Sequence, residues 1–145
     1  MQWRPEYALG IKEIDNQHKH LLRCFTRIED SITSKQPWSA THFTISDLRD
    51  AAQAHFRFEE SMMRLFGYSD TAEHARLHQK MEMQLRLIET SSVTAPAHEV
   101  LVIRFLRDWL TDHICKSDND YARFILSGAT VVQSDVAGFA DKRAA

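Results

Sequence analysis

Apolar residues recur along the chain at alternating steps of three and four, the spacing that gathers them on one face of an α-helix. Four segments show this pattern, and each predicts an amphipathic helix. The residues on the four predicted buried faces are Ile14, His18, Leu21, Phe25, Ile28 and Ile32; Leu48, Ala52, His55, Glu59, Met62 and Phe66; His74, His78, Met81, Leu85 and Ile88; and Val102, Leu106, Trp109 and His113.

Turn-forming residues separate these helices. The segment 34–39 (SKQPWS) follows the first helix, and Gly67 is placed to end the second in the left-handed conformation. The third is expected to begin at Asp70, with Glu73 completing a capping box, and to end before the segment 90–96 (TSSVTAP). Four helices with short connections predict an all-α, up-down-up-down four-helix bundle.

The predicted organisation is one bundle followed by a tail. The fourth helix is expected over about residues 97–126, so the bundle comprises residues 1–126. Residues 127–145 are small and weakly patterned, and we expect them to form a loosely held C-terminal tail. No exposed apolar face is evident beyond the core, which favours a monomer.

Composition argues against several classes of protein. The chain has 145 residues, 43% of them hydrophobic and 26% charged, as in an ordinary globular domain. A net charge of -2 and the lack of a basic stripe argue against nucleic-acid binding. The first residues lack an apolar stretch after a charged start, so we expect no secretory signal, and no apolar run reaches the ~18 residues of a membrane span. We expect a cytoplasmic protein, because its two cysteines, Cys24 and Cys115, do not make a disulfide framework.

Histidine is the unusual component, with 8 in a small domain. Five histidines and one carboxylate lie on the predicted buried faces: His18, His55, Glu59, His74, His78 and His113. One buried histidine is more often a hydrogen-bonded core residue than a metal ligand, and the His74/His78 pair alone could be an exposed face. Six such groups together would each need a partner, however, and an unmet one costs ~1–3 kcal/mol. A metal centre satisfies the whole set at once, since imidazole and carboxylate bind first-row metals well.

The composition of this set narrows the kind of metal site. It exceeds the four ligands of a structural zinc site, and without thiolate it suits iron, manganese or zinc. A bridging carboxylate would allow two ions to share it. Ferritin-like di-iron and di-manganese proteins use two Glu-x-x-His motifs, and this chain contains none. Its histidine-rich set favours reversible chemistry over oxidation of a substrate, and we expect a di-metal site in the bundle core.

Four stretches carry this pattern: 9-LGIKEIDNQHKHLL-22, 55-HFRFEE-60, 74-HARLH-78 and 109-WLTDHICKSD-118. In their order and approximate separations they resemble the hemerythrins, in particular the single-domain bacterial ones. The resemblance covers residues 3–126. It implies two iron ions, bridged by hydroxide or oxide and by carboxylates, that bind O₂ reversibly.

The resemblance also implies a role for each candidate ligand. One iron would be held by His74, His78 and His113. The other would be held by His18 and His55, and would keep an open position for O₂. The two irons would be bridged by Glu59 and Asp118. A dry pocket would protect the bound O₂; residues within one turn of the ligands that could line it are Leu21, Phe56, Trp109 and Leu110. Plain core packing explains any one of these four equally well.

Asp118 is the one ligand whose position conflicts with a regular helix. It follows His113 by five residues, about 140° around an α-helix, whereas Asp120 would share the face of His113. Because the family places its carboxylate at the fifth position, we choose Asp118 and predict a local irregularity such as a π-bulge. A regular helix there would make Asp120 the candidate.

The remaining histidines are His20, His42 and His98, and their positions predict no direct role at the site. Both cysteines lie off the ligand-bearing faces and are expected to be inert, although Cys115, two residues after a ligand, would matter if the site oxidises.

These features predict a protein that stores, delivers or buffers O₂, and not an enzyme. One alternative is an O₂ or redox sensor that acts through a separate oxygen-using or signalling partner. Another is a di-iron enzyme that processes peroxide or nitric oxide. Carrier and sensor need the same site, so the residues alone leave these alternatives open.

Overall fold

The computed structural model describes residues 1–91 and 96–128 of the chain. A short 3-10 helix, Pro5–Tyr7, precedes four α-helices: α1 (Lys12–Thr33), α2 (Trp38–Phe66), α3 (Thr71–Thr90) and α4 (Pro96–Asp112). The chain continues from α4 through a π-helical segment, His113–Ser117, into a further α-helical segment, 118–128. Within the described ranges there is no strand, and the predicted all-α four-helix bundle is confirmed.

The helices pack in sequence order, α1 on α2 and α2 on α3, and α4 packs on α1. Short turns join the first three helices, so each runs antiparallel to the one before it. Gly67 ends α2 with φ 68° and ψ 37°. The following amide N–H, that of Tyr68, donates to the carbonyl of Met63 at 2.9 Å. This is the left-handed helix end predicted for Gly67.

The predicted capping box at α3 is wrong. Asp70 precedes the helix, but its side chain makes no capping hydrogen bond. Its backbone has φ -95° and ψ 17°, whereas a side chain caps a helix from the extended conformation.

The predicted buried faces are confirmed for most of their residues. Three of them, Ile88, Val102 and Trp109, are half-buried. All six residues on the face of α1 are buried, and so are the first four on α2. In the last turn of α2, Met63 is fully buried, while Met62 is half-buried and Phe66 is 42% exposed. The buried face of α2 therefore continues by a further step of four residues from Glu59, where the sequence pattern favoured a step of three.

The buried polar residues divide the apolar core into two clusters. The larger contains Phe56 and most of the core, and the smaller consists of Ile14, Met63, Tyr121 and Ile125. On α1, His18 lies between a residue of each cluster, and on α2 Glu59 does the same. The polar layer thus crosses the bundle at one level, with apolar packing on both sides that holds it in place.

Large apolar side chains are also exposed on α3 and α4. Leu87 on α3 is 59% exposed and Leu101 on α4 is 60% exposed. The expected monomer rested on the lack of an exposed apolar face, and it stays a prediction. Of the predicted tail, residues 127–128 continue the last helix, and 129–145 lie outside the described residues. No helix in the described ranges combines the length and apolar character that a membrane span needs.

Candidate metal centre

The seven predicted ligands come together in the polar layer. Each is at most 5% exposed, and all four helical segments contribute. The contributing residues are His18 from α1, His55 and Glu59 from α2, His74 and His78 from α3, and His113 and Asp118 from the chain that continues α4. The ligand atoms form two groups, in each of which all atoms lie within 4.8 Å of one another. One group contains His74, His78 and His113, the other contains His18 and His55, and both contain Glu59 and Asp118.

The two carboxylates face both groups with different oxygen atoms. Glu59 Oε2 lies 3.2 Å from His78 Nε2, whereas its Oε1 lies 3.3 Å from His55 Nε2. Asp118 Oδ1 lies 3.2 Å from His113 Nε2, whereas its Oδ2 lies 2.9 Å from His18 Nε2. One oxygen on each side is the arrangement that two carboxylates need to bridge a pair of metal ions.

The hydrogen bonding of this cluster is incomplete without cations. Each of the seven residues has a buried nitrogen or oxygen without a hydrogen-bond partner, including Nε2 of His55, His74, His78 and His113, and one oxygen of each carboxylate. An unpaired buried polar atom costs ~1–3 kcal/mol, so seven at one level require an explanation. Nitrogen and oxygen donors without sulfur suit iron, manganese or zinc. The residues fit a pair of such ions.

The electrostatics of the cluster also favour cations. Burial by itself raises the pKa of Glu59, but the facing imidazoles, His55 foremost, outweigh burial and hold it well below its usual 4.5. Asp118 behaves alike: burial and Glu59 raise its pKa, and His113, His18 and His55 lower it well below 3.8. Both carboxylates therefore stay ionised in the core. In the metal-free cluster they raise the pKa of His74 to about 9, against the lowering effect of burial, and a metal ion would displace that proton.

The predicted irregularity before Asp118 is confirmed. The segment His113–Ser117 is π-helical, and the amide N–H of Asp118 donates to the carbonyl of His113. The extra residue in this turn brings Asp118 onto the ligand-bearing face. Asp120, the alternative, is exposed.

Three residues at the site were missed by sequence reasoning. The carboxylate of Glu60 accepts from His78 Nδ1, and the amide oxygen of Gln17 accepts from His55 Nδ1, both at 2.9 Å. The hydroxyl of Tyr121 donates to Glu59 Oε1 at 2.5 Å. Burial and the two carboxylates raise the pKa of Tyr121, which keeps it a donor. The only signal for Tyr121 is its position three residues after Asp118; Gln17 and Glu60 lie off the buried faces.

The four predicted pocket residues fall into two kinds. Phe56 stacks on the ring of His78 (centroids 4.0 Å apart, planes at 10°), and Trp109 stacks on His113 (4.7 Å, 15°). Leu21 and Leu110 are buried in the larger apolar cluster. Trp109 also lines a surface groove of about 410 Å³ that reaches His113, together with Leu77, Met81 and Phe105.

The other histidines and the cysteines lie apart from the two ligand groups. His20 and His98 are exposed, and His42 is half-buried. Cys24 is buried and Cys115 is half-buried, and both are free cysteines.

Comparison with known proteins agrees with this geometry. The family model of the Hemerythrin HHE cation binding domain matches residues 9–125. A bacteriohemerythrin of Pseudomonas aeruginosa is 30% identical over 122 residues, which cover 82% of this chain and 77% of the relative. A bacteriohemerythrin of Stenotrophomonas maltophilia is 29% identical over 125 residues (83% and 78%), and a hemerythrin-like protein of Naegleria gruberi is 24% identical over 119 residues (82% and 88%).

Fold and site together define a metal-binding four-helix bundle with a histidine-rich site for two ions. The family match extends over most of the chain and includes all seven candidate ligands. The chain belongs to the hemerythrin family, whose non-haem centres typically contain two irons and bind O₂.

Proposed function

We propose that this protein binds O₂ reversibly at a non-haem di-iron centre and thereby stores, delivers or buffers oxygen in the cytoplasm. The observation that carries the proposal is that the two ligand groups contain different numbers of histidines. They share Glu59 and Asp118, but one has three histidines and the other has two. A position with one protein ligand fewer leaves room for a small exogenous ligand.

In this proposal, one iron would be held by His74, His78 and His113 and the other by His18 and His55, with Glu59 and Asp118 available to both. Two ferrous ions held there would supply the electrons that O₂ binding requires. The protein fixes the ligands before the metals bind, since the apolar clusters above and below the polar layer leave little freedom to move. Membership of the hemerythrin family supports this assignment.

The surrounding residues serve chiefly to exclude water. Phe56 and Trp109 cover two imidazoles of the three-histidine group with aromatic rings. Leu21 and Leu110 extend the apolar surroundings, and each is at most 1% exposed. Water and acids would promote release of the bound oxygen in a reduced form, which would leave the irons oxidised. A dry site therefore favours reversible O₂ binding over catalytic turnover.

A second candidate function is oxygen or redox sensing through a partner protein. The apolar groove that reaches His113 supports it, because Leu77 and Phe105 on its rim are 39% and 37% exposed. A protein bound there would contact Trp109, which stacks on a candidate ligand.

The deciding experiment is optical. Iron-loaded protein is reduced without oxygen, exposed to air, and then purged with inert gas while the visible spectrum is recorded. A band that forms in air and disappears on purging supports the carrier function. Direct conversion to a ferric form that purging does not reverse would contradict it and favour sensing, or turnover of peroxide or nitric oxide.

A further inference from the structure

Two candidate ligands, His78 and His55, donate hydrogen bonds from Nδ1 to chemically different acceptors. On one side of the site, Nδ1 of His78 donates to the carboxylate of Glu60 at 2.9 Å. On the other side, Nδ1 of His55 donates to the amide oxygen of Gln17, also at 2.9 Å. In each ring the opposite nitrogen, Nε2, points at Glu59, at 3.2 Å and 3.3 Å respectively.

These hydrogen bonds fix the tautomer of both rings. A carboxylate or an amide oxygen can only accept, so the proton of each neutral imidazole is on Nδ1 and the lone pair of Nε2 faces the cluster. The amide of Gln17 is itself oriented, because its Nε2 donates to Glu13 Oε1 at 3.4 Å. Its oxygen is thereby turned towards His55. Both rings are prepared for a metal in the same way.

The two acceptors differ in charge. The carboxylate of Glu60 carries a negative charge and is 24% exposed, and Arg64 approaches its other oxygen at 3.7 Å. Arg64 is 61% exposed, so solvent and salt screen its effect. The amide of Gln17 carries no charge. An imidazole backed by a carboxylate is the more basic ligand and stabilises a more highly charged metal ion.

We propose that Glu60 and Gln17 are positioning residues that set the two metal positions at different reduction potentials. Glu60 favours the ferric state at the three-histidine position, whereas the neutral Gln17 leaves the ferrous state favoured at the two-histidine position. This rests on the proposed di-iron centre and goes beyond it, since it assigns a direction to the electronic difference between the two irons.

Reciprocal charge changes test the proposal. Glu60→Gln keeps the size and an acceptor but removes the charge, and Gln17→Glu adds one. Reductive titration of the iron-loaded proteins, followed by visible absorption, gives their midpoint potentials. We expect the midpoint potential to rise in Glu60→Gln and to fall in Gln17→Glu. At a fixed applied potential, each substitution should change the ratio of oxidised to reduced iron roughly tenfold, the lower end of the effects produced by residues that hydrogen-bond to metal ligands.

Asp47→Asn is the matched control. Asp47 is on the same helix as Glu60, is 50% exposed and pairs with Arg27 at 2.9 Å. It lies some 20 Å before Glu60 along the axis at ~1.5 Å per residue, beyond the ~8 Å over which salt leaves charges unscreened. Its loss of one negative charge should leave both potentials unchanged.

The outcomes separate this inference from the function on which it rests. Shifts of opposite sign in the two variants support it, because a purely structural effect has no reason to reverse its sign. Unchanged potentials in Glu60→Gln, with two irons bound per chain, overturn this inference alone. Fewer than two irons in the unmodified protein overturn the proposed function and the inference with it. If Gln17→Glu does not fold, Glu60→Gln decides: a rise supports the proposal, and no change or a fall overturns it.

Discussion

The amide N–H of Asp118 donates to the carbonyl of His113, five residues earlier, where a regular helix would pair residues four apart. This single π-turn moves Asp118 into the polar layer, where its two oxygens face His113 and His18 at 3.2 Å and 2.9 Å. An irregular turn at this point is a means of placing two ligands from one helix on the same site.

Asp118 and Asp120 provide a matched pair for testing this geometry. We expect Asp118→Asn to lower the affinity for the second metal ion by at least about 100-fold. The substitution removes the charge of a bridging ligand, and this loss should exceed the effect of removing a residue that only hydrogen-bonds to a ligand. Asp120→Asn changes an exposed carboxylate and should bind two ions normally. Metal content per chain after dialysis distinguishes them. Equal losses in both variants would contradict the assignment of the bridge.

Tyr121 should stabilise the site through its hydroxyl. Tyr121→Phe removes the donor to Glu59 Oε1 and leaves the ring in the smaller apolar cluster. A hydrogen bond to a charged group contributes ~1.5–3 kcal/mol, so we expect the free energy of unfolding in urea to fall by about that amount. Tyr68, whose ring lies 6.3 Å from that of Tyr121, is half-buried and serves as the control. Tyr68→Phe should change stability by less than about 0.5 kcal/mol.

The metal-free protein should lose stability as the pH rises. Burial lowers the pKa of His74, but Asp118 and Glu59 raise it to about 9, above the ordinary value of 6.5. A folded-state pKa above the unfolded one stabilises the fold fully below pH 6.5, and this contribution is lost as the pH rises through 9. We expect the free energy of unfolding to fall by at most about 3 kcal/mol over this range.

The variant His74→Gln isolates this effect. It should flatten the decline, whereas His20→Gln, at an exposed histidine, should retain it. A metal ion bound at the site replaces the proton on His74, so the loaded protein should lack the decline. An equally steep decline in His74→Gln would show that another group is responsible.

Metal binding should stabilise the fold, by an amount that increases with the logarithm of the affinity. With Zn²⁺ as a redox-inert probe at 100 times its dissociation constant, the expected gain is about 2.7 kcal/mol per site. Thermal unfolding with and without chelator measures it. His55→Ala removes a buried ligand candidate and should reduce the gain, and His20→Ala should leave it intact.

Trp109 should protect the iron from oxidation. It covers the ring of His113, so Trp109→Ala would open the surface groove towards the site and admit water. We expect several-fold faster conversion of the air-exposed protein to its ferric form, measured by absorption. Phe105→Ala alters the rim of the same groove and should have a smaller effect. Equal rates in both variants would indicate that Trp109 acts only through packing.

Much of the fold and of the candidate site could be predicted from the spacing of apolar residues along each helix. Residues on the apolar face of an amphipathic helix are usually buried, so the spacing alone predicts that His18 and Glu59 are buried polar groups. The same rule failed in the last turn of α2, where Met63 is buried in place of Met62. Apolar residues at adjacent positions there fit either step, and packing against the neighbouring helices decides between them.

The residues that accept hydrogen bonds from the candidate ligands could not be predicted from the helical spacing. Gln17 and Glu60 lie beside the buried faces and not on them, and polar residues at such positions are ordinary on any helix. Each accepts from a histidine on a different helix, Gln17 on α1 from His55 on α2 and Glu60 on α2 from His78 on α3. Hydrogen bonds between helices depend on their axial offset and rotation, which a helical period does not encode.

By itself, the sequence determined the four helices, their order and six of the seven candidate ligands, because periodic burial is a local property of a helix. For Asp118, the resemblance supplied the residue and helix geometry supplied the need for a π-turn. The resemblance also implied which histidines share an iron, and the structure brings the same histidines into the same group. Only the tertiary structure decided which carboxylate oxygen faces which side, and that Tyr121, Gln17 and Glu60 support the ligands. These relations join residues on different helices, and the packing of the helices sets them.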